Sequence, residues 1–231
     1  MRLWTYSVFI MFVALGLVLG TRAAAQQGQC NGWTATADID GNANVNQTVC
    51  GDIHVQGKID GSSVVTLTST TGSITIDGKI DNNSKVILNA ARDIRIGVVG
   101  GDGDKKIDGG SWVSAFSGGS ISLGNKIDGC PDAAVFAWDP NHPRCSAVFF
   151  RASNGIDIGN KIDGGVYVAL CTANGGIHIH DKIDNGRTRV YYWPGGSLQV
   201  DGGQHGGSQV NTNQQTACQG LPVAPFPQYP L

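Results

Sequence analysis

The amino-acid sequence predicts an all-β protein, a single-stranded parallel β-helix (β-solenoid) of about eight coils with a period of 20–21 residues. The tripeptide Lys-Ile-Asp recurs six times, and each Asp is followed by Gly or Asn. Starting from a weaker copy at Ile39, the isoleucines step by 20, 21, 27, 20, 35 and 21 residues. A short period that is lengthened at only two points is typical of solenoid coils. The six copies begin at Lys58, Lys79, Lys106, Lys126, Lys161 and Lys182.

Each coil is expected to contain about three short strands. An apolar-x-apolar segment precedes each motif, as in Ile74-Thr75-Ile76, and another follows it, as in Val65-Thr66-Leu67. Because side chains alternate along a strand, the apolar members point inward and stack on their counterparts one coil away. Helices are not expected, since the chain has no glutamate and is rich in glycine and β-branched residues.

The chain divides into three parts. Residues 1–25 carry Arg2, an apolar run and a small-residue site at Ala23-Ala24-Ala25, which is the layout of a cleaved secretory signal peptide. A membrane anchor is the disfavoured alternative, because the run is shorter than the roughly 20 apolar residues of a span. The solenoid domain is assigned to residues 26–220, with insertions at 98–105 and 129–144, and a Pro-rich tail to 221–231. We therefore expect an extracellular or cell-surface protein without a membrane span after cleavage.

The cysteines also indicate secretion. All six lie after the predicted signal peptide, and an even number in a secreted chain is typical of disulfides. We favour the pairs Cys30 with Cys50, Cys130 with Cys145, and Cys171 with Cys218. A cysteine zinc site is disfavoured because no Cys-x-x-Cys spacing occurs.

The charge pattern argues against nucleic acid as a partner. Removal of residues 1–25, with Arg2 and Arg22, changes the formal net charge from −2 to −4. Binding to phosphates needs a basic stripe, whereas each Lys of the repeat stands near an Asp.

The two insertions adjoin the Lys-Ile-Asp motifs and predict a trough for a charged or sugar ligand. Its floor would consist of Lys106, Asp108, Lys126, Asp128, Lys161 and Asp163. Trp138 would offer a ring to a sugar, with polar contacts from Asp139, His142 and Arg144. In the simpler interpretation, which we favour, the second insertion is a disulfide-closed loop. The motif is then a corner in which Asp accepts backbone N–H groups and the next residue is left-handed.

No cofactor is expected, and we assign no catalytic residues. Asp102-Gly103-Asp104 offers oxygen ligands of the kind calcium prefers, but a plain turn is favoured. His178 and His180 share a face, with Asp181 beside them, and are metal-ligand types; solvated surface histidines are favoured. Ser122 and His178 fall two coils or more apart, too far to act as a nucleophile and its base.

The phrase Gly-x-Ile-x-Ile-x-x-Lys-Ile-Asp, repeated over residues 33–200, resembles the parallel β-helix proteins and, among them, a group of secreted repeat proteins. This resemblance implies the fold but no single activity, because lyases, hydrolases, adhesins and structural proteins share the architecture. The favoured function is non-catalytic: a structural rod, or one that binds extracellular carbohydrate or a surface protein. The alternative is a lyase or hydrolase that acts on an acidic polysaccharide.

Overall fold

The chain forms a parallel β-solenoid, as predicted. The computed structural model describes residues 30–98, 105–129, 145–193 and 195–212. Within these ranges there is no helix, and the strands form two all-parallel sheets of eight strands each. The described ranges accordingly contain no apolar helix of the length needed to cross a membrane.

Each coil contributes one strand of three residues and one longer strand. The short-strand sheet comprises β1 (Trp33–Ala35), β3 (Ile53–Val55), β5 (Ile74–Ile76), β7 (Ile94–Ile96), β9 (Ile121–Leu123), β11 (Ile156–Ile158), β13 (Ile177–Ile179) and β15 (Leu198–Val200). The long-strand sheet comprises β2 (Asn44–Val49), β4 (Val64–Ser69), β6 (Lys85–Ala90), β8 (Trp112–Ser117), β10 (Ala147–Ala152), β12 (Tyr167–Thr172), β14 (Arg189–Trp193) and β16 (Gln209–Thr212).

The third side of each coil carries the Lys-Ile-Asp motif and consists of a single bridging residue instead of a strand. Only the central isoleucine of each Lys-Ile-Asp makes a parallel bridge, in an isoleucine column that runs from Ile39 through Ile183 and ends at Gln204. The two longer steps, from Ile80 to Ile107 and from Ile127 to Ile162, keep this register. The insertions therefore leave the coil geometry intact, and the predicted alignment of the isoleucines is confirmed.

The core forms because the register places apolar residues over apolar residues. Ile74 pairs with Ile53 on one side and Ile94 on the other, and none of the three exceeds 1% exposure. In the long-strand sheet Val86 and Val113 are likewise paired and buried. Burial of each such side chain stabilises the fold by roughly 1.5–3 kcal/mol. A single coil has no partner for these side chains, so the coils are stable only as a stack.

Each Lys-Ile-Asp corner is held by its own carboxylate. Asp163 Oδ1 accepts the N–H of Gly164 at 2.6 Å, and Asp163 Oδ2 accepts Lys161 Nζ at 2.6 Å. Gly164 and Gly165 follow with φ of 75° and 78°. This left-handed pair makes a corner immediately after the isoleucine bridge. Within the described ranges each coil therefore has two strands and a one-residue bridge, and the expected third strand is not formed.

The disulfide between Cys30 and Cys50 is confirmed, with a Cα–Cα distance of 5.1 Å. Cys145 and Cys171 are also disulfide-bonded, while Cys130 and Cys218, their predicted partners, lie outside the described residues. The N–H of Ser146 donates to the carbonyl of Gly129 at 2.8 Å. This bond brings the two ends of the second insertion together, which favours closure of that loop by its own cysteines.

Peptide mapping of the unreduced protein is expected to give cross-linked peptides joining Cys130 to Cys145 and Cys171 to Cys218. The first pair is expected because the chain leaves at Gly129 and returns at Ser146, directly beside the two cysteines. Closing a loop of this length contributes roughly 3 kcal/mol. A peptide that joins Cys145 to Cys218 would contradict this connectivity, and the Cys30–Cys50 peptide is the internal control.

Candidate functional site

The predicted floor of the trough is a ladder of ion pairs internal to the repeat. Ile107, Ile127 and Ile162 are successive bridges, so their flanking Lys and Asp residues lie in three adjacent coils. The pairs are Lys106–Asp108 at 2.5 Å, Lys126–Asp128 at 2.5 Å and Lys161–Asp163 at 2.6 Å. Since each cation is matched within its own tripeptide, this surface offers a ligand little unbalanced charge. Its role in binding stays a prediction.

The hydrogen bond to Asp163 raises the pKa of Lys161 above its usual value, so the ammonium stays charged at neutral pH. The remaining predicted contacts lie outside the described residues: Trp138, Asp139, His142, Arg144 and the acidic turn at Asp102-Gly103-Asp104.

The outer side of the long-strand sheet carries a group of aromatic rings that the repeat pattern does not reveal. The ring of Tyr167 lies 5.7 Å from that of Phe149 and 5.2 Å from that of Tyr191. Cys171 on β12 is the strand neighbour of Arg151 on β10. Arg151 is exposed, whereas Cys171 is fully buried and disulfide-bonded. Burial raises the pKa of Tyr167. In the part of the chain that the structure describes, the three rings are half-buried and form no groove. The groove and the polar cluster of the short-strand sheet are therefore the better place for a ligand.

On the short-strand sheet two histidines and two aspartates from three coils form a cluster. Asp157 on β11 is the direct neighbour of His178 on β13. His180 and Asp201 each stand one residue beyond their strand, where backbone bonds of 3.0 and 3.1 Å to the preceding coil continue the ladder. His180 Nε2 lies 2.8 Å from Asp157 Oδ1, and His178 Nε2 lies 3.0 Å from Asp201 Oδ1. The two imidazole rings are 3.8 Å apart.

The cluster is oriented by a further polar group, Gln199 on β15. Its amide donates to Asp201 Oδ1 at 2.8 Å. The hydrogen bonds from Gln199 and then His178 lower the pKa of Asp201, which keeps this carboxylate ionised at neutral pH. The His178 ring is thereby held with Nε2 toward Asp201 and Nδ1 toward Asp157, 3.9 Å from its Oδ1.

The sequence predicts that the two histidines share a face, with Asp181 beside them. In the structure their acidic partners are Asp157 and Asp201, each 23 residues away. The relation is diagonal: the central residue of a short strand meets the residue that follows the short strand in the next coil. His54 and Asp77, 2.9 Å apart, obey the same rule. A spacing of one coil plus two residues is the signal that would have identified the cluster.

A shallow groove of about 400 Å³ adjoins the cluster on the same sheet. Gly155 and Gly176 lack side chains that would fill it. Its lining comprises Ser120, Ile121, Ser122, Gly155, Ile156, Asp157, Gly176, Ile177, His178, Ser197 and Gln199. Ser122 pairs with Asp157, and Asp157 pairs with His178, so Ser122 lies two strands from His178. The predicted separation of these two residues by two coils is confirmed.

No protein-family model matches the chain, and neither the curated proteins nor the solved structures contain a significant match to it.

Proposed function

We propose that this protein is an extracellular, non-catalytic solenoid that binds a neutral polysaccharide along the groove of the short-strand sheet. The observation that carries the proposal is the lining of the groove, in which hydroxyl, amide, imidazole and carboxylate groups are presented at the coil period on a hydrogen-bonded sheet. The disulfide Cys30–Cys50 is compatible with an extracellular location.

The shape of the groove favours a chain rather than a small molecule. The lining spans four adjacent strands from β9 to β15, which corresponds to roughly 14 Å along the solenoid axis. Small-molecule sites are usually deep clefts that enclose most of the ligand. In the described part of the chain the groove is open and runs across stacked coils, a shape that accommodates an extended polymer. Because the polar groups are fixed by the sheet, little conformational entropy is lost on binding.

The charge of the groove favours a neutral glycan. Asp157 is the one formally charged residue of the lining apart from His178. A uronate carboxylate would be repelled by Asp157, whereas sugar hydroxyls can donate to it and accept from Gln199. The lysines of the repeat are engaged with their own aspartates and do not supply a compensating cationic surface.

Replacing Ser122 by Trp is expected to weaken glycan binding by about fivefold or more, equivalent to about 1 kcal/mol, because the ring fills the groove. Binding is measured by affinity electrophoresis and by sedimentation with neutral and acidic polysaccharides. The matched control is Thr75→Trp, in the same outward column two strands away on β5 and outside the groove. Both variants should unfold at the wild-type denaturant midpoint.

The same incubations distinguish the alternative function. New reducing or unsaturated chain ends from an acidic polysaccharide, lost in Ser122→Trp but kept in Thr75→Trp, would establish an enzyme. Equal binding by both variants would place the ligand elsewhere and reject the groove. No retention by any polysaccharide would leave a structural or protein-binding rod.

A further inference from the structure

We propose that Asp157, His178 and His180 form a binding site for a divalent transition-metal ion of the zinc class. One potential donor atom from each of the three residues lies within 4.8 Å of the other two. The donors come from two adjacent coils, so the site exists only in the stacked solenoid.

The individual distances identify the donor atoms. Asp157 Oδ1 is 2.8 Å from His180 Nε2 and 3.9 Å from His178 Nδ1. Two ligands of one tetrahedral zinc ion lie about 3.3 Å apart, given bonds of about 2.0–2.1 Å. The observed separations bracket that value. The Asp157 side chain is 50% exposed, so it has room to rotate. Small rotations of the three side chains would bring all three donor atoms onto one ion.

The surroundings of His178 are those of a metal ligand. Its Nε2 points to Asp201, which also accepts from Gln199, so Nδ1 remains for the ion. A carboxylate on the far nitrogen of a ligating histidine fixes the ring and increases its basicity. In this assignment Asp201 is a positioning residue and does not touch the ion.

The ligand types select the class of ion. Two imidazoles and one carboxylate suit zinc and its neighbours in the first transition series, whereas calcium and magnesium prefer oxygen alone. Three protein ligands leave a fourth position open, and Asp157 and His178 also line the groove. A bound ion would therefore present a water molecule or a sugar hydroxyl there. The metal site does not depend on the glycan proposal, since it is tested with the ion alone.

The experiment titrates metal-free, full-length protein with Zn²⁺ against a chromophoric chelator, without glycan. We expect one ion per chain. Asp157→Asn should weaken binding more than about 100-fold, because a ligand is lost, and Asp201→Asn by about 10–100-fold, because only its orienting partner is lost. His54→Ala is the matched control: His54 pairs with Asp77 in the same geometry but has no second histidine in its coil. It should bind as wild type.

A second measurement, of the unfolding midpoint, distinguishes loss of the metal site from misfolding of a variant. Saturating Zn²⁺ should raise the unfolding midpoint of the wild type and of His54→Ala but not of Asp157→Asn, while the midpoints without metal stay within the range of the wild type. The proposal is overturned by a wild-type dissociation constant weaker than about 1 mM. It is also overturned if Asp157→Asn leaves binding unchanged, or if His54→Ala loses binding equally.

Discussion

Replacing Ile107 by Ala is expected to lower the free energy of unfolding by about 2–5 kcal/mol. Ile107 is 0% exposed and sits in the middle of the isoleucine column, bridged to Ile80 on one side and Ile127 on the other. Truncation removes contacts to both neighbours, and the hydrogen-bonded coils above and below cannot collapse into the cavity. Urea unfolding followed by circular dichroism measures the loss.

The control is Ile39→Ala at the first position of the same column. Among the residues that the structure describes, Ile39 bridges to Ile59 alone, and it is 6% exposed. Its truncation is expected to cost clearly less, because it has one bridged neighbour where Ile107 has two. Equal losses at Ile107 and Ile39 would show that the coils are not stabilised by their neighbours, contrary to the cooperative stack inferred from the register.

Replacing Gly164 by Ala is expected to destabilise the protein by about 2–5 kcal/mol, from two separate causes. The residue has a φ of 75°, and a left-handed conformation costs an L-residue about 1–2 kcal/mol. An added Cβ would also overlap Asp128 Oδ1 of the preceding coil and stand 2.9 Å from Gly129 N. That carboxylate is held by Gly129 N–H at 2.8 Å and by Lys126, so overpacking adds about 1–3 kcal/mol.

Gly41→Ala separates the two causes. Gly41 has a φ of 66°, but no atom of the described residues lies within 4 Å of a Cβ built there. This variant should lose only the conformational contribution, and chemical denaturation of the two variants gives the difference. A loss at Gly41 as large as at Gly164 would show that the close stacking of corner glycines on the aspartates below contributes nothing.

These expectations bear on the candidate site, because its geometry is set by the coil stack. The four side chains of the cluster come from the three coils that contain β11, β13 and β15, and they meet only when the coils are in register. A variant that loosens the stack should therefore lose the cluster as well. The groove and metal variants are all outward-facing, and for that reason they should not change the unfolding midpoint.

The sequence by itself determined the architecture. Ile80 and Ile107 are 27 residues apart, and Ile127 and Ile162 are 35 apart, yet each pair forms a bridge, as the repeated tripeptide predicted. The reason is that the inward side chains of a solenoid form a core only in one register, and the period of the apolar residues specifies that register. The close pairing of Cys30 with Cys50, one coil apart, follows from the same period.

Only the tertiary structure decided which polar residues meet. His178 has Asp157 as a lateral neighbour and Asp201 as a diagonal one, and Asp181 is not part of the cluster. Each repeat Lys pairs with the Asp of its own tripeptide, a choice of partner that the repeat alone does not specify. Outward side chains are not constrained by the core, so their contacts depend on the rotamer that each one adopts. The period of the apolar residues carries no information about these rotamers.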